Sequence, residues 1–218
     1  GRGEFLHLAC MAAAPDDAGT LAYLADCAAQ AGLQTATLDM SRIGLARGRF
    51  VDPSGRDIRR LFKLYPWEWM FADDFGRSPA LGATQFVEPP WKLILSNKGA
   101  LALLWEMAPH HPNLLECYFE GEREAELLSR YARKPLYSRE GADIELKGDG
   151  DVVRGVSDGY GAEGFVRQQL RPLPEFGGRY PVIGAWIVGN EAAGMGVRED
   201  ATPLTTDRAR FVPHAIVE

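Results

Sequence analysis

Near the N-terminus the apolar positions come as an almost unbroken run, Phe5-Leu6-His7-Leu8-Ala9, which predicts a buried strand. Asp16 or Asp17 then announces a helix over Ala18 to Ala31, and Gly32 stops it where a left-handed residue is wanted. Thr35 to Asp39 reads as the next strand, and Arg49-Phe50-Val51 and Ile58 to Leu64 flank Asp52-Pro53-Ser54-Gly55 in a hairpin pattern. The middle third is aromatic and helical in character: Trp67 to Phe71, Pro79 to Phe86, and a helix from about Lys98 to Met107 that places Leu101, Leu104 and Trp105 on one face before Pro109 and Pro112. From Arg130 the spacing shortens to strands and glycine turns. Asp149-Gly150 separates Ile144 to Leu146 from Val152-Val153 as a two-residue hairpin, Phe165 to Leu170 and Val182 to Val188 are further strands, and Gly189-Asn190 turns into Ala192 to Arg198. The expected chain is α+β: a β-α-β segment with a hairpin over residues 1–65, then a region over 66–218 with a helical middle and a mainly antiparallel sheet.

Composition narrows the function. With 218 residues, 46% apolar and 25% charged, the chain can bury a substantial core. Lys and Arg total 24 against 30 Asp and Glu, a net charge of -6, which argues against a broad nucleic-acid footprint and leaves an anionic ligand to a local pocket. Only five of the cations are Lys (63, 92, 98, 134 and 147), so each in a structured context is a candidate. Cys10, Cys27 and Cys117 lie far apart, and His7, His110, His111 and His214 show no ligand spacing, so no metal site is expected from them. The absence of an eighteen-residue apolar run and of a leader pattern at Gly1 to Glu4 leads to the expectation of a cytoplasmic chain without a membrane partner.

Several positions carry two readings. Gly159-Tyr160-Gly161-Ala162-Glu163-Gly164 spells a dinucleotide fingerprint, but Phe165 to Leu170 reads as a strand where that motif needs a helix, and a tight connection in a sheet is the plain alternative. Lys98 follows Ser96 and Asn97, either of which can cap the helix; a cation there opposes the helix dipole, which suits a phosphate site or a solvated lysine. Lys134 leads into the loop Ser138-Arg139-Glu140-Gly141, which can close its amides over a phosphate or merely punctuate a hairpin. Gln168 and Gln169 face opposite sides of their strand, so one can offer an amide to a flat base. Arg198, after Gly194-Met195-Gly196-Val197, can hold phosphate with its fork or pair with Glu199 and Asp200 at the surface.

Taken together, Leu61-Phe62-Lys63-Leu64-Tyr65-Pro66-Trp67-Glu68-Trp69-Met70, Glu88-Pro89-Pro90-Trp91-Lys92 running into Ser96-Asn97-Lys98, Lys134-Pro135 with Ser138 to Gly141, and Ala192 to Asp200 resemble, in order, the C-terminal region of the glutathionylspermidine synthase family. The resemblance implies an ATP-grasp fold and a ligase that activates a carboxylate as an acyl phosphate for attack by an amine. It implies that Lys98 and Lys134 bind ATP with Gly141 in the covering loop, that Gln168 or Gln169 lies on the adenine side, and that Arg198 stabilises the transferring phosphoryl group. Arg139 then matches a peptide-substrate contact and Asp207 a carboxylate for the amine. The family's magnesium ligands and a further catalytic arginine lie upstream of the first strand, so ATP and Mg2+ are the implied cofactors, with the metal ligands expected before Gly1 and no turnover expected from these 218 residues alone. The partners implied are a small-molecule or peptide carboxylate and an amine. A nucleotide-binding module without catalysis and an interaction domain, the latter suggested by Trp67 to Phe71, are the competing classes.

Overall fold

The first strand, β1 (Phe5–Cys10), pairs in parallel with β2 (Gln34–Asp39), and α1 (Pro15–Gln30) makes the crossover. These elements belong to a computed structural model that describes residues 4–216. Pro15 fits the first turn because its missing N–H is unneeded there, Asp16 and Asp17 favour the dipole, and Gly32 at φ 84° lets the chain turn back. A short hairpin follows, β3 (Gly44–Ala46) and β4 (Arg49–Val51), joined by Arg47 and Gly48, both at positive φ. β5 (Arg60–Leu64) lies on the other side of β1, and β6 (Gln85–Val87) lies beyond it, giving an all-parallel sheet in the order β2-β1-β5-β6.

Two expectations are corrected here. Arg49 to Val51 and Ile58 to Leu64 do not form an extended hairpin with each other: the bridge Val51 to Asp57 and the bond from the Ile58 N–H to Phe50 O at 2.8 Å close the turn, and β5 then pairs with β1 instead. The Asp52 carboxylate does build the turn, accepting from the Ser54 N–H at 2.9 Å and the Arg56 N–H at 3.0 Å, but Leu61 is then drawn into the core beside β1. The stretch Pro79 to Phe86 is a single 3-10 turn followed by strand, with Phe86 in β6.

Alternation along β1 and β5 gives this sheet two apolar faces. Leu8, Cys10, Phe62 and Leu64 meet α1 through Leu21 and Leu24. Ala9 and Leu61 meet Met40, Phe50, Ile58 and α2 (Trp67–Ala72), whose Trp67 and Met70 are buried while Trp69 and Phe71 are about two-fifths exposed. Truncating a buried residue such as Leu61 to Ala would cost about 2–5 kcal/mol.

The chain divides into two compact units between Ile94 and Leu95, inside α3 (Leu93–Ser96). Residue 65 lies within the first unit, because Trp67 and Met70 complete its core. In the second unit, α4 (Gly99–Met107) packs on β7 (Cys117–Phe119) through Ala102 and Cys117, in a core that also takes in Val166. After α5 (Arg123–Leu127) come β8 (Tyr131–Pro135), β9 (Glu145–Lys147), β10 (Val152–Arg154) and β11 (Phe165–Gln169), an antiparallel sheet in the order β10-β9-β8-β11-β7. Val152 pairs with Lys147, so the connection around Asp149-Gly150 is a four-residue loop rather than the two-residue turn expected. β11 begins directly after Gly164, with no helix there, so the glycine fingerprint is a tight connection; a Cβ on Gly161 would strike the Phe165 ring.

β12 (Tyr180–Val188) and β13 (Glu191–Asp200) form a long hairpin through Gly189 and Asn190, extended by β14 (Arg210–Val212). β12 is an edge strand on which Ile183, Trp186, Ile187 and Val188 are each about two-thirds exposed. The chain is therefore mixed α and β, with a parallel sheet first and antiparallel sheets after it. Among the described residues no helix is long and apolar enough to cross a membrane.

Candidate functional site

The register of the second unit's sheet brings two of the singled-out side chains together. Lys134 on β8 pairs with Val166 on β11, and Ala132 pairs with Gln168, so Lys134 and Gln168 are diagonal neighbours on one face. The Lys134 ammonium donates to Gln168 Oε1 at 2.7 Å. Gln168 is 8% exposed, and burial holds the Lys134 pKa below the ordinary 10.5 of a lysine. Across β11, burial pushes the Cys117 thiol up to about 11, which keeps it neutral. Among the described residues the Lys134 charge thus has a neutral amide and no carboxylate as its hydrogen-bonded partner.

Lys134 and Gln168 border a cleft of about 510 Å³ whose apolar wall includes Leu146, Val153, Leu170 and Leu204. Gly141 and Gln169 border it too, so four of the residues singled out in the sequence meet in one place. Gln169 is exposed, and its backbone N–H is taken by Glu116 O at 2.7 Å, which leaves Gln168 as the inward amide. Gly141 has φ 76° and a Cβ there would lie 3.1 Å from Thr205 O, so the position needs glycine.

Lys98 is placed differently. It does not line the cleft; its backbone N–H donates to Leu136 O at 2.9 Å and its ammonium to Ser138 O at 2.8 Å, which ties the start of α4 to the segment after Lys134. Neither Ser96 nor Asn97 is the N-cap expected: Lys98 itself takes that position without a side-chain cap bond, and Asn97, one residue before it, accepts from the Gly99 N–H at 2.7 Å. The Ser138 hydroxyl is buried with no hydrogen-bond partner among the described residues. Arg139 is exposed on the same loop.

Arg198 and Asp207 are exposed and lie outside the cleft lining. The Arg198 guanidinium stands 6.0 Å from the centre of the Phe211 ring, across the β13–β14 pair. It forms no ion pair with Glu199 or Asp200, because Glu199 accepts from Arg210 at 2.9 Å and Asp200 is taken up by its own turn.

That turn contains what the sequence reading passed over. Asp200 accepts from the Ala201 N–H at 2.6 Å, the Thr206 N–H at 2.9 Å and the Thr206 hydroxyl at 2.7 Å. Burial pushes its pKa up, but the hydroxyl and amide hydrogens outweigh burial and leave it lowered. Closing this loop sets Pro203, Leu204 and Thr205 on the cleft wall. An aspartate followed by Ala-Thr-Pro-Leu-Thr-Thr was the available signal, an acceptor ahead of a Pro-containing turn.

A buried cation beside an apolar wall fits the phosphate and base of a nucleotide. The donor set for a divalent metal is different: among the described residues no three His, Cys, Asp or Glu side chains stand together to hold one.

The family model described as "Glutathionylspermidine synthase preATP-grasp" matches residues 1–217. A Haemophilus influenzae protein named as an acid–amine ligase is 42% identical over 226 residues, covering 100% of this chain and 57% of its own length. A trypanothione synthetase of Crithidia fasciculata is 30% identical over 72% of the chain and 28% of its own length. The bifunctional glutathionylspermidine synthetase/amidase of Escherichia coli is 28% identical over 87% of the chain and 35% of its own length. The chain therefore spans little more than half, or less, of these relatives. In fold it is similar to the crystal structure of D-cycloserine synthetase DcsG, with a TM-score of 0.58 at 13% identity over 97% of this chain and 75% of that one. By the family match and the Haemophilus relative together, this chain belongs to the glutathionylspermidine synthase family.

Proposed function

We propose that this chain carries the ATP-binding part of an ATP-dependent carboxylate–amine ligase of ATP-grasp type, with the Lys134–Gln168 cleft as its nucleotide site. The observation that supports this best is the Lys134 ammonium, desolvated and bonded to a neutral amide 2.7 Å away. A buried cation without a counter-charge is costly, and a phosphate group removes that cost. The apolar wall suits a flat base, and 510 Å³ falls within the range of roughly 300–1,000 Å³ usual for small-molecule sites.

In this reading Lys134 binds phosphate and Gln168 orients it, the Gln168 and Gln169 amides border the base, and the loop Ser138 to Gly141 covers the phosphates. Lys98, bonded to Ser138 O, shares the phosphate charge from the N-cap of α4. Bound there, ATP would supply the γ-phosphoryl group that turns a carboxylate into an acyl phosphate, from which an amine displaces phosphate to leave an amide. Arg198, an exposed guanidinium without an ion pair among the described residues, suits a role at the transferring group; Arg139 and Asp207 are the proposed contacts for the carboxylate and amine substrates. The names of the relatives support a peptide or small-molecule carboxylate and an amine.

Calorimetric titration of a non-hydrolysable ATP analogue into the chain tests the nucleotide site. One saturable site is expected, weakened about tenfold or more by Lys134→Ala, since a charge-assisted contact is worth about 1.5–3 kcal/mol. Unchanged affinity in a folded Lys134→Ala chain would remove the cleft from consideration.

A further inference from the structure

The first unit holds a second, polar cleft of about 750 Å³ at the N-terminal end of β1 and β5. Arg47, Arg56, Arg59 and Arg60 all border it, against the carboxylates of Glu4 and Asp57, in a chain whose overall charge is -6. Two of the four arginines are neutralised. Arg60 pairs with Glu4 at 3.1 Å, and Arg47 lies 3.6 Å from Asp57, which Arg49 also approaches at 3.8 Å. Arg56 instead lies over the Phe5 ring, 4.1 Å from its centre, and neither it nor Arg59 has a carboxylate partner among the described residues.

The wall supplies a further unsatisfied group. His7 borders the cleft, is 1% exposed, and its Nδ1 is buried with no hydrogen-bond partner among the described residues. Nε2 stands 3.1 Å from the Asp52 carboxylate, so only one of the two ring nitrogens has a partner. Arg47 also reaches this cleft from a backbone at φ 53°, a conformation that favours glycine or asparagine over a long cation.

Guanidinium groups gathered around one depression repel each other unless an anion joins them, and their planar forks match the oxygens of phosphate or carboxylate. The geometry points to a binding site for a small polyvalent oxyanion between Arg56 and Arg59, separate from the nucleotide cleft and independent of it. A duplex nucleic acid is a poor fit, because the chain carries a net charge of -6 and this depression is a local cluster rather than an extended basic face.

The test is calorimetry with inorganic phosphate, and in parallel with citrate, at fixed sodium chloride. The reference chain is the 218-residue Lys134→Ala variant, which removes the cation of the nucleotide cleft. Saturable binding is expected with a dissociation constant of about 1 mM or tighter, weakened about tenfold or more by adding Arg59→Gln or Arg56→Gln. Both are exposed positions, and circular dichroism checks that the fold persists. Binding of phosphate alone assigns the anion as a phosphate group, and binding of citrate alone assigns it as a carboxylate. No saturable heat from either anion up to about 10 mM, or affinity unchanged by both substitutions, overturns the site.

Discussion

Nε2 of the buried His7 and the Asp52 carboxylate stand 3.1 Å apart, so the side chain that shapes the turn after β4 is also tied to β1. Burial raises the Asp52 pKa, but bonds from Ser54, the Arg56 N–H and His7 outweigh it and bring the carboxyl from an ordinary 3.8 to about 2. A depressed carboxyl pKa stabilises the folded chain fully above its unfolded value, and the contribution fades as pH falls from near 4 towards 2. Asp52→Asn is therefore expected to lower the urea midpoint at pH 7, with the gap to wild type narrowing below pH 4. A gap that stays constant across that window would show that Asp52 acts by shape and not by charge.

Removing the buried charge at Lys134 should separate stability from binding. Because its folded pKa is lowered, the unfolded chain holds the proton more tightly, and the wild-type chain gains stability as pH rises through the folded value towards 10.5. Lys134→Met keeps length and volume without the charge, so it is expected to match or exceed the wild-type urea midpoint at pH 7 while binding of the ATP analogue falls about tenfold or more. Clear destabilisation by Met would mean that the ammonium–Gln168 bond is a structural contact first.

Glycines of the second unit divide by what a Cβ would meet. At Gly155 it would run into the carbonyl oxygen of Gly141, a backbone atom of the cleft that cannot swing aside, whereas at Gly150 it meets open space. Gly155→Ala is expected to destabilise by about 3 kcal/mol or more and to weaken nucleotide binding. Gly150→Ala should be neutral or stabilising by up to about 1 kcal/mol. Denaturant unfolding of the two variants side by side is the check, and equal midpoints would contradict the close approach at Gly141.

The β1–α1–β2 start was legible because strand runs, acidic helix start and Gly32 all agree locally. The hairpin at Asp52 misled for a physical reason: the turn is real, but Leu61 is more strongly drawn to β1 than to a partner across that turn. Lys134 and Gly141 could be marked from the chain alone, while the choice between Gln168 and Gln169 could not. Periodicity sends them to opposite faces, and only the pairing of Ala132 with Gln168 fixes which face carries Lys134. For Asp200 the chain showed an acceptor ahead of a Pro-containing turn but not its place at the cleft, since that comes from Thr206 closing a loop onto a wall built by distant strands.

The β12 edge has a consequence at the bench. A nine-residue edge strand whose outward-facing backbone groups have no strand partner among the described residues, bearing Ile183, Trp186, Ile187 and Val188 in solvent, is a ready template for strand addition by any chain that drifts past. What keeps copies of this chain apart in dilute buffer is then mainly mutual repulsion from six net negative charges, which weakens with added salt and vanishes near the isoelectric point of about 5.3. Turbidity should therefore climb most steeply in concentrated samples taken to mildly acidic pH, well before the cores of the two units begin to melt.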